Sequence, residues 1–260
     1  SEPIFRQRNR LTPPAEPVQM DLFAAAPAAG HLTVRRSRRA KRLQVRVLPH
    51  GHAEVIVPPR ASTAEVRDFI EASREWIEKT RGRTMGRGPA ADLSLPSRIR
   101  LTAVAETWQV SYGAIDGRSR LREDYGSGGG HLLVAGQDPQ ARSTLRAWLM
   151  GRARRLLPDR VDKVARATGL RPAGLSIRRQ RTRWGSCTGR RRINLNCSAL
   201  FLGESLLEYL IVHELCHLKH MNHSARFWSL VASFVPDYRQ LDAALSESWS
   251  VVPGWVFYTP

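Results

Sequence analysis

The chain has 260 residues, room for one large domain or two small ones, and its 42% hydrophobic and 25% charged content is ordinary for a globular protein. Its charge is not ordinary: 41 Lys and Arg against 23 Asp and Glu leave +18, a surface that attracts nucleic acid, nucleotides or acidic membranes while saying nothing about fold. No apolar run approaches the roughly 18 residues of a membrane span, no basic-then-apolar leader is visible, and Cys187, Cys197 and Cys216 are too few and unevenly placed for a disulfide framework, so a cytoplasmic, reducing setting without a membrane is expected.

Residues 1–30 hold five prolines and an alanine run with little apolar periodicity, the pattern of a disordered tail. Structure is expected from Leu32-Thr33-Val34 onward, with an alternating strand at Leu43–Leu48, a Pro49–His52 turn and a partner strand at Ala53–Val57. Ser62 with Glu65 makes a capping box for a helix carrying Val66, Phe69, Ile70, Trp76 and Ile77. A loop follows at Gly82–Pro89, then strands at Ile99–Val104 and Thr107–Tyr112, and a glycine-rich interruption at Gly126–Gly130 before Leu132–Ala135. Asp138-Pro139 opens a long helix that Pro158 should kink or split. Leu175–Ile177 and Ile193–Asn196 read as a strand pair around a basic connection, and Leu206–Leu218 and Ala225–Phe234 as helices. Strands, helices, a hairpin and further helices make an α+β protein, divided here into the tail 1–30, an N-terminal α+β region 31–137 (a small antiparallel sheet plus helix) and a catalytic region 138–260.

The chemistry concentrates at His213-Glu214-Leu215-Cys216-His217. Residues four apart on a helix share a face, so His213 and His217 can reach one metal ion. Zinc accepts imidazole nitrogen and keeps a position open for water when three protein ligands hold it; Glu214, beside the first histidine, can take that water's proton. The flanking Leu206, Leu207, Leu210, Ile211 and Val212 imply a buried helix, where two histidines and a glutamate are costly without a purpose. For the third ligand, His223 lies six residues past His217, an offset that needs the chain to turn back, and Asn222 tolerates the left-handed conformation such a turn wants. His220 is then a supporting or substrate-side group, and Glu247 is the remaining candidate ligand.

Arg183-Trp184-Gly185-Ser186-Cys187, Ile193-Asn194-Leu195-Asn196, and the run from Tyr209 through His223-Ser224 to Phe227-Trp228 resemble the YgjP-like metallopeptidases, relatives of the SprT and WSS zinc peptidases. The resemblance is strongest from Leu175 to Tyr238 and extends to the strand pair and helix near residues 32–77. It implies a zincin-like catalytic domain with one Zn2+ held by His213, His217 and His223, and with Glu214 as base.

Cys187 and Cys197 lack the paired spacing of a structural zinc site, Cys216 has no nucleophilic role to fill, and Trp184 reads as a packing anchor. Basic clusters lie at Arg35–Arg42, Arg178–Arg183 and Arg190–Arg192, the last two expected to flank the cleft. In the tail, Gln19-Met20-Asp21-Leu22-Phe23 resembles the peptides that dock onto bacterial sliding clamps. Three functions stand on this reading. The first is a zinc peptidase acting on protein or peptide substrates, including proteins on DNA; the others are a phosphohydrolase of nucleotides and a non-catalytic zinc module that binds nucleic acid.

Overall fold

The structure is a computed structural model that describes residues 32–48, 51–85, 94–115 and 120–257. Its first unit is a three-stranded sheet of β1 (Leu32–Arg36), β2 (Gln44–Val47) and β3 (Ala53–Val57), ordered β1-β3-β2 and backed by α1 (Thr63–Met85). Ser62 starts α1 as its sequence requires: the Ser62 amide donates to Glu65 Oε2 at 2.7 Å and the Glu65 amide returns to Ser62 Oγ at 3.2 Å. Alternation along β3 sends Val55 and Val57 to a small core with Val66 and Ile70 of α1. The other face presents Glu54, buried to 3% exposure, whose carboxylate accepts from Arg35 Nε at 3.2 Å and from Arg181 Nη1 at 2.6 Å. Arg181 comes from the far end of the chain, so this one carboxylate ties the small sheet to the segment that leads into the site.

The second sheet orders β4 (Arg98–Leu101), β5 (Glu106–Tyr112), β6 (Leu121–Gly126) and β7 (Gly129–Val134) as β4-β5-β7-β6. Ile99, Leu101, Trp108, Val110, Leu132 and Val134 are buried in one large core with Leu145, Trp148 and Leu149 of α2 (Gln140–Thr168). Trp108 and Trp148 meet edge to face at 5.4 Å. The third sheet has β10 (Arg192–Asn196) at its centre, parallel to β8 (Gly174–Arg178) and antiparallel to the short edge strand β9 (Gly185–Cys187). The chain then runs through α3 (Glu204–Cys216), α4 (Ala225–Phe234) and α5 (Tyr238–Glu247), with α3 packed against α2, α4 and α5 and touching β9. Mixed small sheets and helices confirm the α+β class.

Several local expectations change. The glycine-rich run is a hairpin turn joining β6 to β7, with Gly128 at φ 75° and Gly129 at φ 140°, and β6 is a strand that its polar, exposed residues conceal. β8 and β10 are parallel rather than a hairpin; the hairpin is β9–β10. β1 likewise runs parallel to β3, so the first sheet is mixed rather than antiparallel. Of the first expected middle strand only Ile99 to Leu101 is extended, within β4, and residues 102–104 close into a 3-10 turn. Pro158 does not split α2, which continues through it for 29 residues. Asp138-Pro139 does stand at the start of α2, where the Asp138 carboxylate pairs with Arg142. Among the described residues no helix is long and apolar enough to cross a membrane.

Candidate metal centre

α3 is a buried helix of the core, and its C-terminal turn delivers the chemistry. Leu207, Leu210, Ile211, Val212 and Leu215 are buried, so the helix is fixed on nearly all sides before His213, Glu214 and His217 are placed. The helix ends at Cys216, earlier than the apolar pattern implies, and His217 is its cap residue in right-handed helical conformation. The Leu218, Lys219 and His220 amides close the end by donating hydrogen bonds to the Leu215 and Cys216 carbonyls. The return that follows uses no left-handed residue at Asn222: among the described residues, those other than glycine with positive φ are Ala105 and Arg191.

His213, His217 and His223 converge, with ligand atoms all within 4.8 Å of one another. His213 Nε2 and His223 Nε2 lie 3.0 Å apart, close to the about 3.3 Å that two nitrogens keep around a tetrahedral zinc ion with bonds near 2.0–2.1 Å. The donor set, three imidazoles, is one that zinc accepts. Glu247 and the cysteines are outside this cluster, the one such group among the described residues. His220 contributes its backbone rather than its ring: the His220 carbonyl oxygen lies 3.0 Å from His217 Nδ1.

His223 sits in the loop between α3 and α4, exposed, with no helix of its own to aim it. Aromatic stacking does so. Its ring lies on Trp228 (5.5 Å, 24°), Trp228 on Tyr238 (5.2 Å, 18°), and the Arg239 guanidinium covers Tyr238 at 5.7 Å. Phe227 stacks on His217 at 4.5 Å, and Ser224, next to His223, caps α4 by accepting from the Phe227 amide at 3.5 Å. Behind His213, Tyr209 Oη is 3.5 Å from Nδ1 and donates to Asp242 Oδ1 at 2.7 Å.

Burial pushes the His213 ring down to about 4, with His217 and His223 adding to the effect, and burial lowers His217 as well, so both rings are neutral and able to ligate at neutral pH. Glu214 moves oppositely. Only 5% exposed, with Oε2 lacking any partner, its carboxyl is pushed up to about 8 by burial. The carboxyl packs against β9 at Gly185, where an added Cβ would stand 2.5 Å from Oε1. A buried, unpartnered carboxylate beside three convergent imidazoles is the arrangement a bound cation would complete.

The strand bearing Gly185 is itself pinned. Trp184 is buried, donates to the Leu245 carbonyl at 3.2 Å and stacks on Trp249 at 4.1 Å, so it anchors the loop. Asn196 Nδ2 donates to the Gln180 and Arg183 carbonyls at 2.7 and 2.8 Å. In the basic cluster after β9, Arg191 Nη2 donates to the Arg171 carbonyl, and the Arg192 guanidinium lies over Gly174 of β8. The clamp-like peptide Gln19, Met20, Asp21, Leu22, Phe23 lies outside the described residues. Gly185 and Asp242 carry no sequence signal that places them at the site; Tyr209 does, standing one helical turn before His213 on the same face.

An α+β chain with three histidines converging beside a buried glutamate has the donor set of a metal-dependent hydrolase. The chain belongs to the YgjP-like family: the family model of the YgjP-like metallopeptidase domain matches residues 41–248. No curated protein matches it. Among solved structures it is similar to the metallopeptidase zymogen abylysin of Pyrococcus abyssi, with 23% identity over 36% of this chain and 95% of that one and a TM-score of 0.32. It is also similar to the metallopeptidase zymogen jannalysin of Methanocaldococcus jannaschii, with 20% identity over 34% of this chain and 91% of that one and a TM-score of 0.31.

Proposed function

We propose that the chain is a zinc-dependent peptidase of zincin-like design, in which His213, His217 and His223 hold one Zn2+ and Glu214 is the catalytic base. The convergence of the three imidazoles within 4.8 Å carries this reading, and membership of a metallopeptidase family supports the peptide bond as its target. Zinc held there would supply a Lewis acid for the scissile carbonyl and acidify a water. Glu214 takes a proton from the attacking water and passes it to the leaving amine. Its burial shields the exchange from bulk water, and beside a dication its raised titration falls back towards the working range.

A second element of the reading is association with polyanions, DNA-bound substrates included. From Lys163 to Gly203 the chain has ten basic residues and no Asp or Glu. Arg178, Arg179 and Arg183 are exposed, and among the described residues no ion pair joins them. The unbridged Cys187, Cys197 and Cys216 agree with a reducing, cytoplasmic setting.

The test is a substrate panel on zinc-loaded protein: casein, casein with single-stranded DNA, and nucleoside triphosphates. Wild type should cleave casein, Glu214→Gln should bind zinc without turnover, and His217→Ala should lose both. Phosphate release without peptide cleavage would replace this reading with a nucleotide hydrolase, and full activity in Glu214→Gln would remove Glu214 as base.

A further inference from the structure

A neutral imidazole has one bare nitrogen, and the hydrogen bond made by the other nitrogen decides which it is. For His217 the backbone decides. Nδ1 faces the His220 carbonyl at 3.0 Å, an atom that can only accept, so Nδ1 holds the proton and Nε2 is bare. His213 has no carbonyl in that place. Its Nδ1 faces Tyr209 Oη at 3.5 Å, the outer limit of hydrogen-bonding reach, and a tyrosine hydroxyl can donate or accept.

Asp242 removes that ambiguity. Its Oδ1 lies 2.7 Å from Tyr209 Oη, and a carboxylate only accepts, so the tyrosine's single proton is committed to Asp242. What Tyr209 turns to His213 is lone-pair density, and the proton between them must sit on Nδ1. Nε2 is left bare, and Nε2 is the atom that stands 3.0 Å from His223 Nε2. Tyr209 is 1% exposed, so water does not compete for its hydroxyl. α3 sets Tyr209 and His213 one turn apart on one face, and α5, packed on α3, brings Asp242 to the far side.

We propose that Asp242 and Tyr209 are a positioning pair that holds His213 as the Nδ1–H tautomer and so presents Nε2 to the metal. The proposal rests on the metal site proposed above. Without the carboxylate, the tyrosine proton is free to turn to Nδ1 and drive His213 to the non-ligating Nε2–H form. Without the hydroxyl, Nδ1–H loses its acceptor.

The experiment compares wild type, Tyr209→Phe, Asp242→Leu, Asp242→Asn and the double variant Tyr209→Phe/Asp242→Leu. Zn2+ affinity is read by competition with a chromogenic chelator, and the His213 tautomer by long-range proton–nitrogen NMR of the metal-free protein. Tyr209→Phe and Asp242→Leu should each weaken Zn2+ binding by roughly 10–100-fold, and the double variant no further, because the pair acts as one unit. Asp242→Asn keeps an acceptor oxygen and should stay close to wild type. The metal-free wild type should show Nδ1–H, and Asp242→Leu a larger Nε2–H fraction. Unchanged Zn2+ affinity in both single variants, fully additive losses, or an Nε2–H tautomer in wild type would each overturn the pairing. If Tyr209→Phe fails to fold, the half-buried Asp242 position carries the comparison. Failure of wild type to bind Zn2+ would sink the metal site itself, whereas the NMR reading tests the tautomer without metal.

Discussion

Gly185 has no side chain, and the place a Cβ would take is already filled by Glu214: 2.5 Å from Oε1 and 2.8 Å from both Cδ and Cγ. Alanine there must push the Glu214 carboxyl aside, because β9 is held by its pairing with β10 while a glutamate side chain can rotate. Gly185→Ala should therefore keep zinc affinity and lower kcat by about 100-fold, the scale of a misplacement near 1 Å; unchanged kcat would show that Glu214 tolerates the displacement. The titration of Glu214 gives a second test. A carboxyl raised from 4.5 to about 8 stabilises the fold fully below its unfolded value and loses that contribution as pH rises towards 8. His213, lowered from 6.5 to about 4, works in the other sense: its contribution is present above 6.5 and is lost as pH falls to 4. Glu214→Gln removes only the first effect. In the metal-free protein, the unfolding free energy of Glu214→Gln should gain on wild type from pH 5 to pH 8, by at most about 1.4 kcal/mol per pH unit, read as a growing difference in melting temperature. Parallel melting curves for the two proteins across that range would contradict a buried, raised carboxyl.

At the scale of elements, what could be read from sequence was what local spacing encodes. The His213–His217 repeat on an apolar helix, the Ser62–Glu65 capping box, and the alternation in β2 and β3 each depend on residues within one or two turns, and each forms. The parallel pairings of β1 with β3 and β8 with β10 were not legible, because strand direction is settled by connections and partners rather than by alternation. β9 is three residues long, too short for any period to mark it, although it is the strand that meets Glu214. Asp242 lies 33 residues from Tyr209, and nothing local announces the pair. The connection into β9 is held by a second buried side chain besides Trp184. Asn196 is fully buried, accepts from the Ser198 amide at 3.1 Å and donates to the Gln180 and Arg183 carbonyls. Asn196→Asp has the same shape but turns a buried acceptor onto two carbonyl oxygens. Denaturant unfolding should show a loss of about 3 kcal/mol or more, with casein turnover falling as the Arg178–Arg183 connection loosens. A stability change within about 0.5 kcal/mol would mean that the loop is held by Trp184 alone.

Across the whole molecule, the charge of +18 is uneven in a way that bears on partners. In the first unit and the second sheet, carboxylates meet arginines: Glu54 pairs with Arg35 and Arg181, and Glu106 with Arg152. The stretch from Lys163 to Gly203 has no acid of its own, and its exposed Arg178, at the end of β8, and Arg179 and Arg183, on the connection from β8, lead into β9, the strand against which Glu214 packs. A polyanion bound there would exchange condensed counterions for arginines, and each phosphate neutralised on a single strand contributes about −0.7 to the slope of log K against log salt concentration. Wild type titrated with a single-stranded oligonucleotide should show a steep negative slope. Arg178→Gln/Arg179→Gln/Arg183→Gln should flatten it by about 2, three phosphates' worth, while leaving Zn2+ affinity unchanged, since none of the three touches the histidines. If the triple variant keeps the wild-type slope, the basic connection is a solvated surface and DNA plays no part in bringing substrate to it. If the slope flattens while casein cleavage is unaffected by added DNA, the arginines bind a polyanion scaffold that leaves peptide hydrolysis unaltered.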